Sequence, residues 1–487
     1  MPADAADALH DLALAFARDG HRFAACGAAR RALAMRPDFI AAHLTLGRVR
    51  QQIGDRAGAI AAFEAARGVA PRNAAVLRGL AEAYRRGNRI DDALVVADLA
   101  LRCSPGSARS LCCLANAYVA DGQYADAATL YRTAQRLAPD LPDADCGLGV
   151  VHLMNARWGA ADAAFRRAQE LAPHLAEMRY NRALLDLRFG RYREGFAGYA
   201  AIAQTAGDAS GYYYLAADVP FWDGTPLHGR RLLIAAEQGI GDHLMMARFF
   251  AQLPKYGAAI AIETPPSLVT LYRRSFPQLE VLPYDRILAP SAMDIHLPIM
   301  HFPGVLGVAR AADLMPPAPY LRPDPARVAA LRASLRLDPQ RRHIGIVWRG
   351  NAEHPLDRER SSSLADWAAL AAVPGTCFHA LQVDATADEL TAAPFPLAPT
   401  HAHIADFDDT AALVTLLDLV ITVDTATVHL AGALGRPTWL ANAHVGDARW
   451  GIAATTTPWY PSLRIFRQPT RGAWTPVFAA MAAALRG

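Results

Sequence analysis

The sequence predicts an all-helical N-terminal solenoid followed by an α/β half built of two parallel-sheet domains. Two observations predict it. Prolines recur at one fixed spacing through the first two-fifths of the chain, and beyond residue 210 short β-type runs alternate with helical stretches. At 487 residues the chain is longer than one core normally serves, so two or three domains are expected.

Composition narrows the classes. Apolar residues make up 53% and charged residues 20%, an ordinary globular balance. The formal net charge of +3 contains no long basic run that would mark nucleic acid or an anionic membrane. The opening MPADAADALHDLALAFARDG carries acids where a secretory signal needs basic residues. No stretch approaches the roughly 18 apolar residues of a membrane span. Six cysteines (Cys26, Cys103, Cys112, Cys113, Cys146 and Cys377) show neither zinc spacing nor a disulfide framework. Reduced core thiols and a cytoplasmic location are the expectation.

The helical part is written in its prolines. Pro37, Pro71, Pro105, Pro139 and Pro173 recur at a period of 34, each closing an Ala-rich helix as in ALAMRP, QRLAP and QELAP. Proline lacks an N–H and disfavours a helical residue before it, so it ends each helix. Within each unit small and large residues recur in register: Gly47, Gly54, Ala59, Phe63 and Ala66; Ala115, Gly122, Ala127, Tyr131 and Ala134; Gly149, Ala161, Phe165 and Ala168. The small ones let antiparallel helices approach, the large ones fill the groove to the next pair, and the mid-unit glycine permits the turn.

The pattern resembles the tetratricopeptide repeat (TPR). Five clear units span about 4–173, and a degenerate sixth covers roughly 176–205. Such arrays curve into a superhelix whose concave face binds extended peptide or a partner helix; a passive spacer or a dimerisation surface are the alternatives. The domains read as 1–205 for the array, then 206–335 and 336–487.

The strand candidates are RRLLIAAE (230–237), AAIAIET (258–264), IHLPI (295–299), HIGIVWRG (343–350), FHALQV (378–383), LVITVD (419–424) and TWLAN (438–442). Apolar runs of this length between helices are those of parallel strands covered on both faces, giving two Rossmann-like halves. The charged helical segment 322–342 bridges them. In such sheets ligands bind at the carboxyl ends of the strands.

Three motifs sit at such ends. In EQGIGDHLMMARFF (237–250) a strand ends at Glu237, Gly239 and Gly241 make a tight turn, and Asp242 opens a helix. That turn lets backbone approach a ligand, or is an ordinary junction with Asp242 as N-cap. In WRGNAEHPLDRERSSSLADW (348–367) a polar loop holds Arg349, Asn351, His354, Asp357, Arg358 and Arg360. Arginines at a strand exit suit phosphate oxygens, although a solvated loop reads the same way. In DLVITVDTATVHLAGALGRPTWLAN (418–442) the strand runs into Asp424, Thr425 and Ala426, with His429 one helical turn on. A hydroxyl and small residues at a helix N-terminus suit a diphosphate; His429 as a packed helix residue is the alternative.

Taken together EQGIGD, GIVWRGN with RERSS, FDDTAALVTLLDLVITVDTATVHLAGALGRP and PWYPSLRIFRQPTRGAW resemble the heptosyltransferase-like glycosyltransferases of the GT-B fold. The whole chain is similar to bacterial TPR-plus-glycosyltransferase proteins, which include flagellin glycosyltransferases. The resemblance implies a nucleotide-sugar donor and a protein Ser/Thr acceptor recruited by the array, flagellin among the candidates. No Asp-x-Asp metal motif sits in a plausible place, so metal independence is expected, with no other cofactor. It implies Asp242 as general base beside Gly239 and Gly241. Asn351, Arg358, Arg360 (seven before Trp367) and Gln382 would meet the donor, as would Asp424, Thr425, Ala426 and His429. The sequence departs from these relatives at LANAHVGDARWG (440–451), where they carry a Pro- and Trp-rich loop, yet keeps the Arg449-Trp450 pair. Two rivals stand beside this reading: a non-catalytic TPR interaction protein with a degenerate transferase half, and a transferase directed at a glycan or lipid.

Overall fold

The computed structural model describes residues 2–205, 219–257, 259–284, 293–314, 319–352, 354 and 356–487. Of these, 2–185 and 197–205 form one compact unit; 186–196 and the residues from 219 onward form the other. The first residue of the strand candidate at 258–264 lies outside the described residues.

The first unit is built from helix pairs: α1 (Pro2–Arg18) with α2 (Arg22–Met35), α3 (Ile40–Gln52) with α4 (Arg56–Val69), α5 (Ala74–Arg86) with α6 (Ile90–Cys103), α7 (Ala108–Asp121) with α8 (Tyr124–Leu137), and α9 (Pro142–Met154) with α10 (Trp158–Leu171). A sixth pair, α11 (Ala176–Arg188) and α12 (Tyr192–Thr205), follows in sequence. The residues ahead of the prolines, Arg36, Ala70, Ser104, Ala138 and Ala172, leave the helix with φ between −134° and −148°, as a following proline requires.

The small-and-large pattern has a direct geometric cause. Phe63 is fully buried, and a Cβ on Gly47 of α3 or on Gly79 of α5 would stand 2.6 and 2.4 Å from its ring. The ring is therefore clamped between its own pair and the next. Tyr131 meets Gly147 of α9 in the same way, at 2.2 Å, and Phe165 meets Gly149 at 2.5 Å. Gly54 and Gly122 turn their pairs with positive φ; Asn88 and Ala156 take the left-handed place where glycine is missing.

The second unit holds two parallel sheets. One has the order β3-β2-β1-β4, from β1 (Leu232–Ala235), β2 (Ile260–Thr264), β3 (Glu280–Pro283) and β4 (Ile295–Pro298). Helices α13 (Ile240–Met246) and α14 (Val269–Ser275) connect β1 to β2 and β2 to β3, while α15 (Phe302–Val305) follows β4 and α16 (Pro325–Leu335) leads onward. The other sheet has the order β10-β11-β9-β8-β5-β6-β7, from β5 (Arg342–Val347), β6 (Thr376–Ala380), β7 (Leu397–Ala398), β8 (Leu419–Val423), β9 (Thr438–Asn442), β10 (Thr456–Thr457) and β11 (Tyr460–Arg467). All its pairings are parallel except β10 with β11. Helices α17 (Asp357–Arg360), α18 (Ala387–Thr391), α19 (Phe407–Leu416), α20 (Ala426–Ala433) and α21 (Trp474–Arg486) cover it.

Burial on both faces explains the unbroken apolar strands. Leu419, Ile421 and Val423 of β8 join one core with Trp367 and Phe478, whose rings stack 4.2 Å apart. Val420 points the other way, into a core continuous with the first sheet. An ion cluster ties these parts together. Asp408 of α19, fully buried, takes both guanidinium arms of Arg274 from α14, and Arg327 of α16 reaches Asp406, Asp408 and Asp409. Four strands have no counterpart among the sequence candidates: β3, β7, β10 and β11, the last interrupted by Pro461 and by arginines.

Candidate functional site

The connections define where a ligand would sit. In the first sheet the chain runs β1, β2, β3 to one side and returns to β4 on the other. In the second it runs β5, β6, β7 outward and returns to β8 beside β5. Crevices of parallel sheets open at such reversals, beyond the carboxyl ends of β1 and β4 and of β5 and β8. All three motifs lie at these ends.

At the first, β1 ends at Ala235, earlier than Glu237, and the turn follows. Its positive φ falls on Gln238 (61°), whereas Gly239 is extended at φ −88° and ψ 168° and serves as the N-cap of α13. Asp242 is the third residue of the helix, not its N-cap, and reaches back to the N-cap backbone. Its Oδ2 accepts the Gly239 N–H at 3.1 Å. Gly241 is needed for another reason than the turn: a Cβ there would lie 2.8 Å from the His429 ring and 3.6 Å from Ala426 Cα. The N-terminal turns of α13 and α20 therefore meet face to face.

At the second, β8 ends at Val423 and Thr425 is the N-cap of α20. The Thr425 hydroxyl bonds the Thr422 hydroxyl at 3.0 Å and leaves the helix N–H groups uncapped by a side chain. His429 is 2% exposed, stacked on Trp450, with Nε2 at 3.2 Å from Arg449 Nη1 and Nδ1 at 2.9 Å from the Tyr460 hydroxyl. Facing a guanidinium, Nε2 must accept, so Nδ1 carries the proton and donates to Tyr460. Burial and Arg449 hold this imidazole well below its usual pKa, hence neutral.

Arg449 is the hub that joins the two. It donates to Asp242 Oδ1 at 2.7 Å, to Asp447 Oδ1 at 2.8 Å and to His429. Desolvation works against the Asp447 carboxylate, but Arg449 holds it below the ordinary range. Desolvation and the neighbouring Asp447 push Asp424 the other way, up to about 6.

Arg360, at the end of α17, donates from Nη1 to the Asp424 carbonyl at 3.1 Å. Asp357 holds its Nε at 3.2 Å, and Gly350 leaves it room, since a Cβ there would stand 2.6 Å from the guanidinium. Asp357 also accepts the Ser361 hydroxyl, which in turn accepts the Gly350 N–H. The loop after β5 is thus folded so that Arg360 lies across the β5–β8 reversal. Asn351 and Arg358 are exposed on that loop, whereas Arg349 turns away to Glu389 and Asp384.

Gln382 has a structural task instead of an open one. Its Oε1 accepts the Trp348 and Arg349 N–H groups at 3.2 and 3.1 Å, and its Nε2 donates to Asp384 at 2.7 Å. Its carbonyl oxygen and one of its N–H groups are used in shaping the loop.

The structure therefore gathers Gly241, Asp242, Arg360, Asp424, Thr425, Ala426 and His429 at facing strand ends, and leaves Asn351 and Arg358 on the exposed loop. Arg449, Asp447, Trp450 and Tyr460, none of which the sequence assigned to the site, join the gathered residues. The surviving Arg449-Trp450 pair was the available signal. Among the described residues no cluster of three or more His, Cys, Asp or Glu could hold a metal, and no helix is long and apolar enough to cross a membrane.

Repeats and site define a TPR-repeat chain joined to an α/β unit with facing strand-end motifs. Two family models support the first part, one described as a tetratricopeptide repeat at residues 44–108 and one as a TPR repeat at 115–155. Among curated proteins the chain is similar to Protein FlbA of Caulobacter vibrioides, 31% identical over 339 residues, covering 64% of this chain and 55% of that protein. It thus spans about half of that relative's length. Similar solved structures include a thermophilic TPR protein of Thermus thermophilus (24% identity, 38% of this chain and 100% of that one, TM-score 0.35). Another is PilF of Pseudomonas aeruginosa (20% identity, 42% and 90%, TM-score 0.32).

Proposed function

We propose that this protein is a GT-B glycosyltransferase that moves a sugar from a nucleotide-sugar donor to a Ser or Thr of a protein acceptor recruited by the repeat array, flagellin being the first acceptor to try. The observation that carries the reading is the meeting of α13 and α20 at two facing strand ends. It puts a carboxylate from one sheet opposite an uncapped helix N-terminus and an arginine from the other. The array's protein-interaction role supports a polypeptide acceptor over a glycan or lipid.

In this reading the acceptor hydroxyl attacks the anomeric carbon while its proton passes to Asp242. The bond from that carbon to the nucleoside diphosphate breaks. Arg360 and the N–H groups at the start of α20 stabilise the charge left on the phosphate, in a pocket where such groups are already oriented. With that charge met by arginine and backbone, no metal is required. Asp242 Oδ1, the lone pair that would take the proton, is held by Arg449 in this structure. Donor phosphate competing for Arg449 would free it, which makes the donor the first substrate to bind.

The same ion pair favours the rival, an interaction protein whose α/β unit binds without turning over, because both oxygens of Asp242 are occupied. Intact-mass analysis of flagellin co-expressed with this protein separates the two. A hexose-sized or larger increment supports transfer. An unmodified acceptor, together with no heat of binding from a panel of nucleotide sugars, overturns it.

A further inference from the structure

On the inner face of the array, three arginines stand side by side without a carboxylate. Successive first helices of the pairs touch directly, α3 on α5, α5 on α7 and α7 on α9, so they line the inside of the curve. Across that curve Glu82 of α5 and Glu177 of α11 lie within electrostatic reach of each other. Arg48 of α3 and Arg109 of α7 both lie within electrostatic reach of Arg78 of α5. Arg78 bridges toward α7, donating to Ser110 Oγ at 3.3 Å. Burial first holds its guanidinium below the ordinary value, against a pull from Cys113, with smaller repulsions from Arg109 and then Arg48 adding to it. Among the described residues none of the three forms an ion pair, and Arg48 and Arg109 are exposed.

Their neighbours make the contrast. Arg85 and Arg86 on the same helix as Arg78 are both taken up by Glu82, at 2.6 Å each. Glu82 is therefore not available to Arg78. Asp143 of α9 and Glu177 of α11 lie further along the array. The face is cationic over α3–α7 and acidic beyond it. Like charges left together on an open face are destabilising unless a partner neutralises them.

We propose that the row Arg48, Arg78 and Arg109 docks an extended acidic segment of a partner protein. Neighbouring helices stand about 10 Å apart, so carboxylates about three residues apart in an extended chain would match the row. A polypeptide suits this face better than a nucleic acid, since Asp143 and Glu177 would repel a continuous phosphate backbone. The inference rests on the array's interaction role and is independent of chemistry in the α/β unit.

The test uses the full chain and a short fluorescent Gly/Ser peptide with glutamate at every third position, read by anisotropy. A twin peptide carries lysine instead. The glutamate peptide should bind, weaken as salt is raised, and lose about tenfold in affinity in R48Q/R78Q/R109Q, a few-fold for each exposed charge pair. R30Q/R31Q/R67Q, the same charge change on α2 and α4, should bind as the unaltered protein does. R48K/R78K/R109K, which keeps the charge, should retain binding and guards against a fold defect. The proposal is overturned by any of three results: binding unchanged in R48Q/R78Q/R109Q, equal binding of the lysine twin, or single-stranded RNA of similar length displacing the peptide at equal concentration. Nucleotide-sugar calorimetry on the same samples keeps the two proposals apart. Donor binding without peptide binding removes this one alone, and peptide binding without donor binding removes the transferase reading alone.

Discussion

The two units are held together in opposite ways. In the array buried rings sit against glycines of their own helix pair or the next: Phe63 against Gly47 and Gly79, Tyr131 against Gly147, Phe165 against Gly149. Every important contact joins neighbours. In the α/β unit the decisive contacts join distant segments: Asp242 with Arg449, 207 residues apart, and Arg274 with Asp408, 134 apart. A quasi-one-dimensional stack responds to a lesion locally, whereas a unit closed by long-range pairs responds as a whole.

The largest effect is expected at the site. If Asp242 takes the acceptor proton, Asp242→Asn should lower turnover by about 10²–10⁴-fold, the usual worth of general base assistance. Donor affinity by calorimetry should change little or improve, because Arg449 is released from its ion pair. Full turnover in this variant would remove Asp242 from the mechanism.

Next come two stability lesions, one in each unit. Phe63→Ala empties a fully buried ring site and should cost about 3–5 kcal/mol. Hydrogen exchange should rise in α3–α5 and leave the α/β unit protected. Asp408→Ala removes a fully buried carboxylate from Arg274 and Arg327. Breaking a buried pair costs up to about 3–5 kcal/mol, but Asp324, Asp406 and Asp409 still reach these arginines, so about 2 kcal/mol is expected. Here exchange should rise in both sheets together. A Phe63→Ala lesion that loosened the α/β unit equally would erase the contrast.

How much the sequence could reveal follows the same division. The proline period of 34 and the recurring small and aromatic positions are local facts, so the array was legible in its helix pairs and in the burial of Phe63, Tyr131 and Phe165. Strands β5, β8 and β9 were legible because both faces are covered and their apolar runs are unbroken. β3 and β11 were not, since one is four residues long and the other carries Pro461, Arg464 and Arg467. The strand-end motifs could each be found alone. That Asp242 faces Arg449 could not, because nothing in either segment records which distant strand end it meets. Nor could the use of Gln382: its amide is spent on backbone N–H groups that only the folded loop presents.

A matched pair of glycine substitutions gives a finer test. Gly147→Ala drives a methyl to 2.2 Å from Tyr131 in the array, and Gly241→Ala drives one to 2.8 Å from His429 in the site. Overpacking of this kind costs about 1–3 kcal/mol, so both variants should melt earlier. Only Gly241→Ala should also weaken donor binding, by displacing His429 from Arg449. Equal loss of donor affinity in both would mean that the site depends on the array as much as on its own close approach.

The smallest effect is a pH dependence confined to the α/β unit. Asp424 is pushed up to about 6, by desolvation and then by Asp447, while its unfolded value stays near the usual ~3.9. Between those values the folded state binds more protons than the unfolded one. Stability must then fall as pH rises from about 4 to about 6. Asp447, held low by Arg449 against desolvation, acts with the opposite sign: its contribution is present above about 4 and lost on further acidification. With Asp424 only partly buried, a fall of about 1 kcal/mol is the expectation after solvent screening. Asp424→Asn should flatten the decline between about pH 4 and 6 in chemical unfolding of the α/β transition and leave the array's transition where it was. A decline that persists unchanged in Asp424→Asn would assign the titration to another group and detach Asp424 from the charge network around Arg449.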